Sequence, residues 1–464
     1  MWVKAAVLPA ALALGLIGCA QLPGYERPQA PIAASWPATA AVETGAELRM
    51  PADWRAAYPD PRLQALIEAA LAHNRDLRLA AARIEEARAQ LRIVDSALSP
   101  NADLAASAST KRNDGDVSRR FEVGLQSPAF ELDLWGRLKS LDEAARQRYL
   151  ASEAAVRAVS LTLIADVAEA YLIELELTER LRLTQATLAS RAEAREIVAR
   201  RRDVGLAGDL DLLQADGALA LVRAELSTLR RQLAAAQNAL TLLLGTAPDA
   251  LPPGRPLEAQ DLVADLAPGL PAEVLLRRPD ILAAETRLKA ANADLNAARA
   301  AFFPTITLTA ALGLASRALT DLFDAASGTW LFQPALRLPL FDAGRTQGGV
   351  DLAQARKLAA VAEYERAIQQ AFREVADGLA ARRNLAEQLD TLEAQARIQG
   401  ERLRLAEARY RAGLTNYLDV LDAQRDLYAA EQAVVQTRRA WLTNTVRLYR
   451  ALGGGEGVRM KDEG

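Results

Sequence analysis

Apolar residues recur at steps of three and four over long parts of the chain. The stretch from Arg137 to Val204 contains neither Gly nor Pro, and its apolar positions keep this spacing: Val156, Val159, Leu163, Val167, Ala170, Leu177, Leu181 and Leu188. This period is that of an α-helix with one apolar face. Such a helix would be about 100 Å long at about 1.5 Å per residue, which few compact globular domains could contain.

Other segments carry the same helical period. They are Arg62–Ser99, Asp209–Leu244, Asp280–Phe303, Val350–Arg411 and Leu414–Leu452. Asp60 and Pro61 stand where a helix N-cap and a first helical residue are favoured. Because the spacing is coiled-coil-like and Ala allows close approach, we predict that long helices pack side by side.

Between the helical segments, apolar and polar residues alternate, and this period of two predicts β-strands. Phe121, Val123 and Leu125 alternate with polar residues and glycine, and the alternation resumes after Pro128. Residues 101–110 show it weakly, and residues 111–116 have the composition of a turn. Downstream, a strand from Thr305 to Leu312 is followed by a returning strand from Trp330 to Leu340. We therefore predict two β-hairpins, each inserted between helices.

The chain also repeats itself. The matched features are Asp76 with Asp280 and Pro100 with Pro304 at an offset of 204, ELDLWGR (131–137) with RLPLFDAGR (337–345), and the Gly-Leu turns at Gly205 and Gly413 at an offset of 208. Loop insertions produce such a drift. We predict two copies of one unit, residues 60–245 and 272–453, joined by a linker at 246–271 and followed by a tail at 454–464. Each copy consists of a helix, a hairpin, a very long helix, a glycine turn and a helix.

The first residues have the composition of an export signal. Lys4 precedes an apolar run from Ala5 to Ile17, which matches a signal-peptide core and is too short to span a bilayer as a mature helix. Directly after this run, LIGC (16–19) resembles the lipobox of bacterial lipoproteins.

The lipobox resemblance implies that a signal peptide, residues 1–18, is removed and that Cys19 receives a diacylglycerol and an N-acyl chain. An unpaired buried thiol is the alternative for this cysteine. Ala20 follows it, and in lipoproteins the lack of Asp at that place favours the outer membrane. Residues 19–59 would then form a lipidated, extended N-terminal segment, because they are punctuated by prolines and poorly periodic.

The composition excludes nucleic acid as a partner and favours long helices. Lys and Arg number 56 against 59 Asp and Glu, so the chain lacks the positive field that collects nucleic acid. Only 5% of the residues are aromatic, and the abundance of Ala, Leu, Arg, Glu and Gln favours long helices. A single cysteine excludes an intramolecular disulfide.

The strands constrain the assembly. An isolated hairpin is marginal in water, and in lipid an open sheet edge leaves backbone groups unsatisfied at several kcal/mol each. Membrane strands must therefore close into a barrel, and about eight strands are the usual minimum. Since one chain offers four, we expect it to oligomerise, with each subunit donating four strands.

Several segments together identify a family. They are the lipobox, RRPDILAAETRLKAANADLNAARAAFFPTITLTAALG (277–313), YRAGLTNYLDVLDAQRDLY (410–428) and LYRALGGG (448–455). In this order they resemble the outer-membrane factors of tripartite efflux pumps, the TolC-like family, in its lipoprotein branch that serves resistance-nodulation-division drug exporters.

The resemblance implies a mainly α-helical homotrimer with an internal tandem duplication. Its twelve-stranded β-barrel would lie in the outer membrane and continue as an α-barrel of coiled-coil helices. That α-barrel would cross the periplasm to an adaptor and an inner-membrane pump, without a cofactor other than the covalent lipid.

In that family the coils near the glycine turns close the periplasmic end. The resemblance assigns the constriction acids to Asp419 and Asp422 and the apolar ring to Leu418, and the first copy offers Leu210, Asp211 and Gln214 at the corresponding places. Thr415 stands where some relatives have a basic latch residue. Alternatively, Asn416 caps a helix and Asp419 merely occupies its first turn, where an acid is favoured.

Other residues give weaker indications. His73, the single histidine, has no ligand set nearby, so we expect no metal site. The pairs Arg201-Arg202 and Arg277-Arg278 are interpreted as solvated faces or subunit contacts. Aromatic residues near strand ends suit either membrane interfaces or packing at strand-to-helix junctions: Trp135, Trp330 and Phe341.

Three classes of function follow from these features. A passive exit duct needs no catalytic residue and accounts for the helices, the strands and the lipid. A periplasmic coiled-coil adaptor or scaffold lipoprotein would leave the paired hairpins unexplained. A hydrolase would need a nucleophile and a base, for which the chain offers no catalytic cysteine and one isolated histidine.

Overall fold

The computed structural model describes residues 24–37, 51, 53–113, 116–247, 251–262 and 277–454. The predicted signal peptide and the predicted lipid attachment at Cys19 lie outside these ranges, as do most of the tail and parts of the linker. The helices in chain order are α1 (Trp54–Ala57), α2 (Pro61–His73), α3 (Arg75–Asp95), α4 (Arg137–Asp203), α5 (Asp209–Leu244), α6 (Pro279–Ala300), α7 (Arg345–Arg411) and α8 (Tyr417–Ala451).

The two copies are visible in the helix lengths. Helices α4 and α7 each contain 67 residues, and both ends of α7 lie 208 positions after those of α4. Helices α5 and α8 begin at the same offset. The predicted glycine turns lie between α4 and α5 and between α7 and α8.

Several predicted helix boundaries were wrong. The single helix predicted over 62–99 is two helices, because Asn74 leaves the helical conformation and its side chain accepts a hydrogen bond from the Leu77 N–H. Its amide group also donates to the carbonyl of Leu243 at 2.8 Å, which fixes the break by a tertiary contact. The N-terminal segment is likewise not wholly extended, since α1 forms one helical turn whose N-cap is Asp53.

Helix α7 begins five residues before the predicted Val350. The Asp342 carboxylate accepts hydrogen bonds from the N–H groups of Gly344 and Thr346, so it satisfies donors that the helix start leaves free. At the other end of the second copy, α8 begins at Tyr417 rather than Leu414, because Asn416 is its N-cap.

The strands form one antiparallel four-stranded sheet in the order β1 (Asp103–Asn113), β2 (Asp116–Leu132), β3 (Thr305–Ser316) and β4 (Gly328–Arg337). Both predicted hairpins are present, and β2 pairs with β3 to join them. The first turn is shorter than predicted, because the ladder continues to the pair Asn113 and Asp116.

One strand prediction was confirmed and one was wrong. Strand β2 passes Pro128, as the resumed alternation predicted, through a shift in pairing between Ser127 and Phe130, where Ala129 has a φ of 45°. Such a bulge lets the strand pass a residue that has no N–H to donate. Strand β4 ends at Arg337 rather than Leu340, and Pro339 in the predicted extension also lacks this donor.

The described residues fall into two compact units. One contains the sheet with residues 82–154 and 282–367 and the segment before residue 31. The other contains α1, α2, the glycine turns and the helix portions next to them, and its fully buried side chains include Tyr58, Ile67 and Tyr171. Among the helices of the described ranges, none combines the length and the apolar character that crossing a membrane requires.

Candidate gate at the paired helix turns

The two glycine turns have the same hydrogen-bond geometry. Gly205 has a φ of 78° and Gly413 a φ of 71°, a left-handed conformation that glycine adopts without steric cost. The N–H of Leu206 donates to the carbonyl of Arg201 at 2.7 Å, and the N–H of Leu414 donates to that of Arg409 at 2.9 Å. This six-to-one bond is the Schellman end of a helix, so the repeated Gly-Leu pair terminates both long helices.

Acids stand in the first turns of the helices that follow the glycine turns. The Asp211 carboxylate accepts the N–H of Gly208 at 3.0 Å, the reciprocal half of a capping box. In the second copy, Asn416 accepts the N–H of Asp419 at 3.1 Å, and the Asp419 carboxylate accepts a hydrogen bond from the Thr415 hydroxyl. Asp211 and Asp419 therefore both hold the start of a helix, as the capping alternative predicted for Asp419.

An apolar cluster joins the two turns. Val198 from α4, Ala215 from α5, and Tyr417 and Val420 from α8 are buried together. Partly buried residues of the first turn and of all four helices pack around them: Ala194, Ala207, Leu212, Leu403, Ala406, Tyr410 and Leu421. One cluster thus couples the ends of four helices, and a shift of one turn must disturb the other.

Asp422 is bound into a row of ion pairs. Its carboxylate lies 3.0 Å from the guanidinium of Arg425, which also contacts Asp426 at 3.2 Å. Asp426 in turn pairs with Arg402 of α7 at 2.6 Å. The hydrogen bond from Arg402 lowers the pKa of Asp426, so this row keeps alternating charge at neutral pH.

The apolar gate candidates lie on the surface of the subunit. Leu210 is 67% exposed and Leu418 is 45% exposed, while Asp422 keeps 37% of its side chain exposed. Gln214, at the place that matches Asp422 in the first copy, is half-buried. Exposed leucines beside charged residues can form rings only with copies of themselves from neighbouring subunits.

Arg201 and Tyr410 are site residues that sequence reasoning missed. The guanidinium of Arg201 lies 4.7 Å from the ring centroid of Tyr410, so a cation–π contact joins the last turns of α4 and α7. Tyr410 also contacts Tyr417, with ring centroids 5.5 Å apart. Arg201 is therefore only partly exposed to solvent, whereas Arg202 is exposed and pairs with its neighbour Asp203.

Arg278 corrects the interpretation of the other arginine pair. It is buried, and its guanidinium contacts Asp280 and Glu374 at 2.8 and 2.9 Å and donates to the Ala451 carbonyl. Burial opposes the charge, but these acids outweigh it and raise the pKa of Arg278. Its neighbour Arg277 is exposed, as predicted.

The remaining candidates lie away from the turns. Trp135 stacks on Phe303 with centroids 5.0 Å apart and donates to the Pro304 carbonyl, so it packs at a strand-to-helix junction. Trp330 and Phe341 are exposed. Within the described ranges, no group of three or more His, Cys, Asp or Glu side chains could hold a metal ion.

Comparison with known proteins agrees with this architecture. The family model described as "Outer membrane efflux protein" matches residues 66–246 and 270–454, one stretch for each copy. The chain belongs to the outer membrane efflux protein family. Its relatives include the toluene efflux pump outer membrane protein TtgF of Pseudomonas putida, 45% identical over 97% of this chain and 97% of the relative. The cation efflux system protein CusC of Escherichia coli is 39% identical over 97% and 98%.

The fold is also that of a solved member. The open-state structure of the Neisseria gonorrhoeae MtrE outer membrane channel matches with a TM-score of 0.87 and 39% identity, covering 94% of this chain and 98% of MtrE. These findings confirm the sequence prediction of an outer-membrane channel component of a tripartite efflux system. As a family member, the chain forms a homotrimer, lies in the outer membrane, extends into the periplasm, and works with an adaptor and an inner-membrane pump.

Proposed function

We propose that this chain is a passive exit duct for small molecules, closed at rest by the helix ends around the two glycine turns. Transport energy then comes from the inner-membrane pump, and no catalytic residue takes part. The apolar cluster of Val198, Ala215, Tyr417 and Val420 is the observation that carries the proposal. Because it ties both turns together, the helix ends can close and open as one body.

Within this gate, Asp422 acts as the charged constriction and Leu210 and Leu418 as its apolar rim. Asp211 and Asp419 hold the helix starts that carry these residues. Threefold symmetry brings three copies of Asp422 towards one axis, where like charges repel unless they are compensated. Arg425 supplies that compensation within each subunit.

Selectivity for the exported compound resides in another component of the assembly. TtgF is named for toluene efflux and CusC for cation efflux, yet both resemble this chain over nearly its whole length. An architecture that serves such different cargoes in different relatives does not by itself select them, so we place the specificity in the pump. We further propose that Cys19 carries the lipid chains that the lipobox predicts, which adds an anchor to the strands.

Bilayer conductance tests the duct. The purified protein should migrate as a heat-sensitive trimer in an unboiled gel and should open discrete channels in planar bilayers. A periplasmic adaptor or scaffold, the alternative, would leave the bilayer electrically silent. A monomer that yields no channels at any voltage would contradict the proposal.

A further inference from the structure

A buried carboxylate on α6 binds the N-terminal segment of the chain. Glu285 keeps only 5% of its side chain exposed, and the Arg27 guanidinium donates to both its oxygens, from Nε and from Nη2, each at 2.9 Å. Such a bidentate pair fixes the orientation of the guanidinium relative to the carboxylate as well as the distance between them. We call residues 24–37 the N-terminal strap, because they have no regular secondary structure and bind helices more than 200 positions away.

Other groups complete this binding site. The Tyr25 hydroxyl donates to Glu285 at 3.4 Å, and the ammonium group of Lys289 lies 3.4 Å from the same carboxylate. Lys289 also lies 5.4 Å from the Tyr25 ring centroid. The strap therefore supplies the strongest hydrogen bonds to Glu285, and without it the buried charge would retain Lys289 as its single close cation among the described residues.

Further along the strap, the indole of Trp36 stacks on Phe372 of α7, with centroids 5.0 Å apart and planes inclined by 19°. An ion pair and an aromatic stack thus hold the strap at two points of its length. A segment without regular structure does not stay on a surface unless such contacts offset its loss of conformational entropy.

The chain length on either side of the Arg27–Glu285 pair is informative. Arg27 follows Cys19 by eight residues, which reach at most about 28 Å when fully extended. Glu285 precedes Ala300, the last residue of α6, by fifteen residues, or about 22 Å of helix. Strand β3 begins shortly afterwards at Thr305. The reach from Arg27 to Cys19 therefore exceeds by about 6 Å the length of α6 between Glu285 and its last residue.

We propose that Glu285 is a docking site for the chain's own N-terminal strap, and that its capture of Arg27 fixes one end of a length-matched tether whose other end is the lipid on Cys19. The tether holds the sheet end of α6 at the membrane surface. This rests on the lipid attachment proposed above. The docking site itself depends only on the contacts of Glu285, so the two parts can fail separately.

A charge test addresses the docking site. Arg27→Met leaves the Glu285 carboxylate buried with Lys289 alone, and breaking a buried pair should lower the temperature at which the unboiled trimer dissociates by roughly 5 °C. Adding Glu285→Gln removes the unpaired buried charge and should restore most of the lost dissociation temperature. Arg55→Met is the matched control, because Arg55 and its partner Glu68 are both about half exposed. If the double variant is as unstable as Arg27→Met, Glu285 is not the docking site for the N-terminal strap.

A length test addresses the tether. Deleting Leu22, Pro23 and Gly24 shortens the reach by about 10 Å, to less than the 22 Å of helix, whereas inserting Gly-Ser-Gly after Pro23 lengthens it. The deletion should destabilise the trimer as Arg27→Met does, and the insertion should not. In a Cys19→Ser chain, the same deletion should leave the dissociation temperature of its parent unchanged.

Mass spectrometry of the N-terminal peptide separates the two failures. If Cys19 carries no acyl chain, both the tether and the proposed lipid anchor are wrong. The charge test then still shows whether Glu285 is the docking site. If Cys19 is acylated and the deletion has equal effects in the acylated and Cys19→Ser chains, the tether is wrong and the lipid anchor stands.

Discussion

The guanidinium of Arg425 lies 3.0 Å from the carboxylate of Asp422, one turn earlier on α8. The sequence analysis assigned Asp422 to the constriction as an acid and did not consider Arg425. In the gate that we propose, each subunit supplies its own cation beside the acid, so the ring carries paired charges. Side-chain bulk and ion pairs then both contribute to closure, and substitution can separate the two contributions.

Asp422→Ala should increase single-channel conductance, because it removes both the bulk and the charge from the constriction. Asp422→Asn removes the charge and keeps the size, so it should increase conductance less. Asp203→Ala serves as the control, since Asp203 lies at the neighbouring turn and is exposed. Unchanged conductance for Asp422→Ala would discard the assignment of Asp422 to the gate.

Arg425→Met should have a different effect. It leaves the Asp422 carboxylate uncompensated at the constriction, so we expect the channel to select cations more strongly than the wild type does. Exposed pairs of this kind contribute up to about 1 kcal/mol, and salt screens them. The selectivity change, measured as a reversal potential across a salt gradient, should therefore shrink at high salt. In the double variant with Asp422→Ala, the added selectivity should disappear.

Tyr410→Leu should raise the open probability of the channel. It removes the cation–π contact with Arg201, worth about 0.5–1 kcal/mol at a partly exposed site, which corresponds to a two- to fivefold change in a two-state equilibrium. Tyr410→Phe keeps the ring and should behave like the wild type. Arg201→Met should match Tyr410→Leu, and Arg202→Met should change little. Equal open probabilities for Tyr410→Leu and Tyr410→Phe would show that this contact does not hold the turns.

These residues also show which parts of the structure a sequence can predict. The ends of α4 and α5 were predicted to within one residue, because a Gly-Leu turn and an acidic first helical turn are local signals. The break at Asn74 was missed, since its amide donates to Leu243, a residue 169 positions away. Burial of Arg278 likewise depends on Glu374 of another helix.

At the gate, too, local features were predicted from the sequence and contacts between distant residues were missed. Sequence matching located both turns and named Asp419 and Asp422, but the Arg201 contact with Tyr410 joins residues from different copies of the repeat. No spacing within one helix carries that information. Arg425, by contrast, lies three residues after Asp422 on the same helix, and this spacing was a signal that could have been used.

Asp60 should make stability depend on acidity. Burial raises its pKa, but hydrogen bonds from Gln260, from the N–H groups of Arg255 and Arg62, and from the Tyr171 hydroxyl outweigh burial, so the pKa is lowered overall. A carboxylate with a lowered pKa in the folded state stabilises the protein fully above its ordinary pKa of about 4 and loses this contribution as the pH falls further.

Substituting Asp60 tests this contribution. Asp60→Asn should cost about 1–3 kcal/mol at neutral pH and should flatten the loss of stability below about pH 4, measured by thermal unfolding followed by circular dichroism. Asp53→Asn is the control, because Asp53 caps α1 from an exposed position. An acid profile for Asp60→Asn as steep as that of the wild type would assign the acid sensitivity to other groups.

Gly313→Ala should prevent the sheet from forming correctly. Gly313 of β3 faces Gly124 of β2, and a Cβ added at Gly313 would lie 2.3 Å from the Val123 carbonyl oxygen and 2.6 Å from the Gly124 Cα. Both neighbours are backbone atoms, which cannot turn aside, so the hairpins of the two copies must separate at their junction. We expect little heat-sensitive trimer in the outer membrane fraction. Gly328→Ala in β4 is the matched control, because a Cβ there meets no atom within 4 Å. If Gly313→Ala yields as much trimer as Gly328→Ala, the close approach of β2 and β3 is not required for assembly.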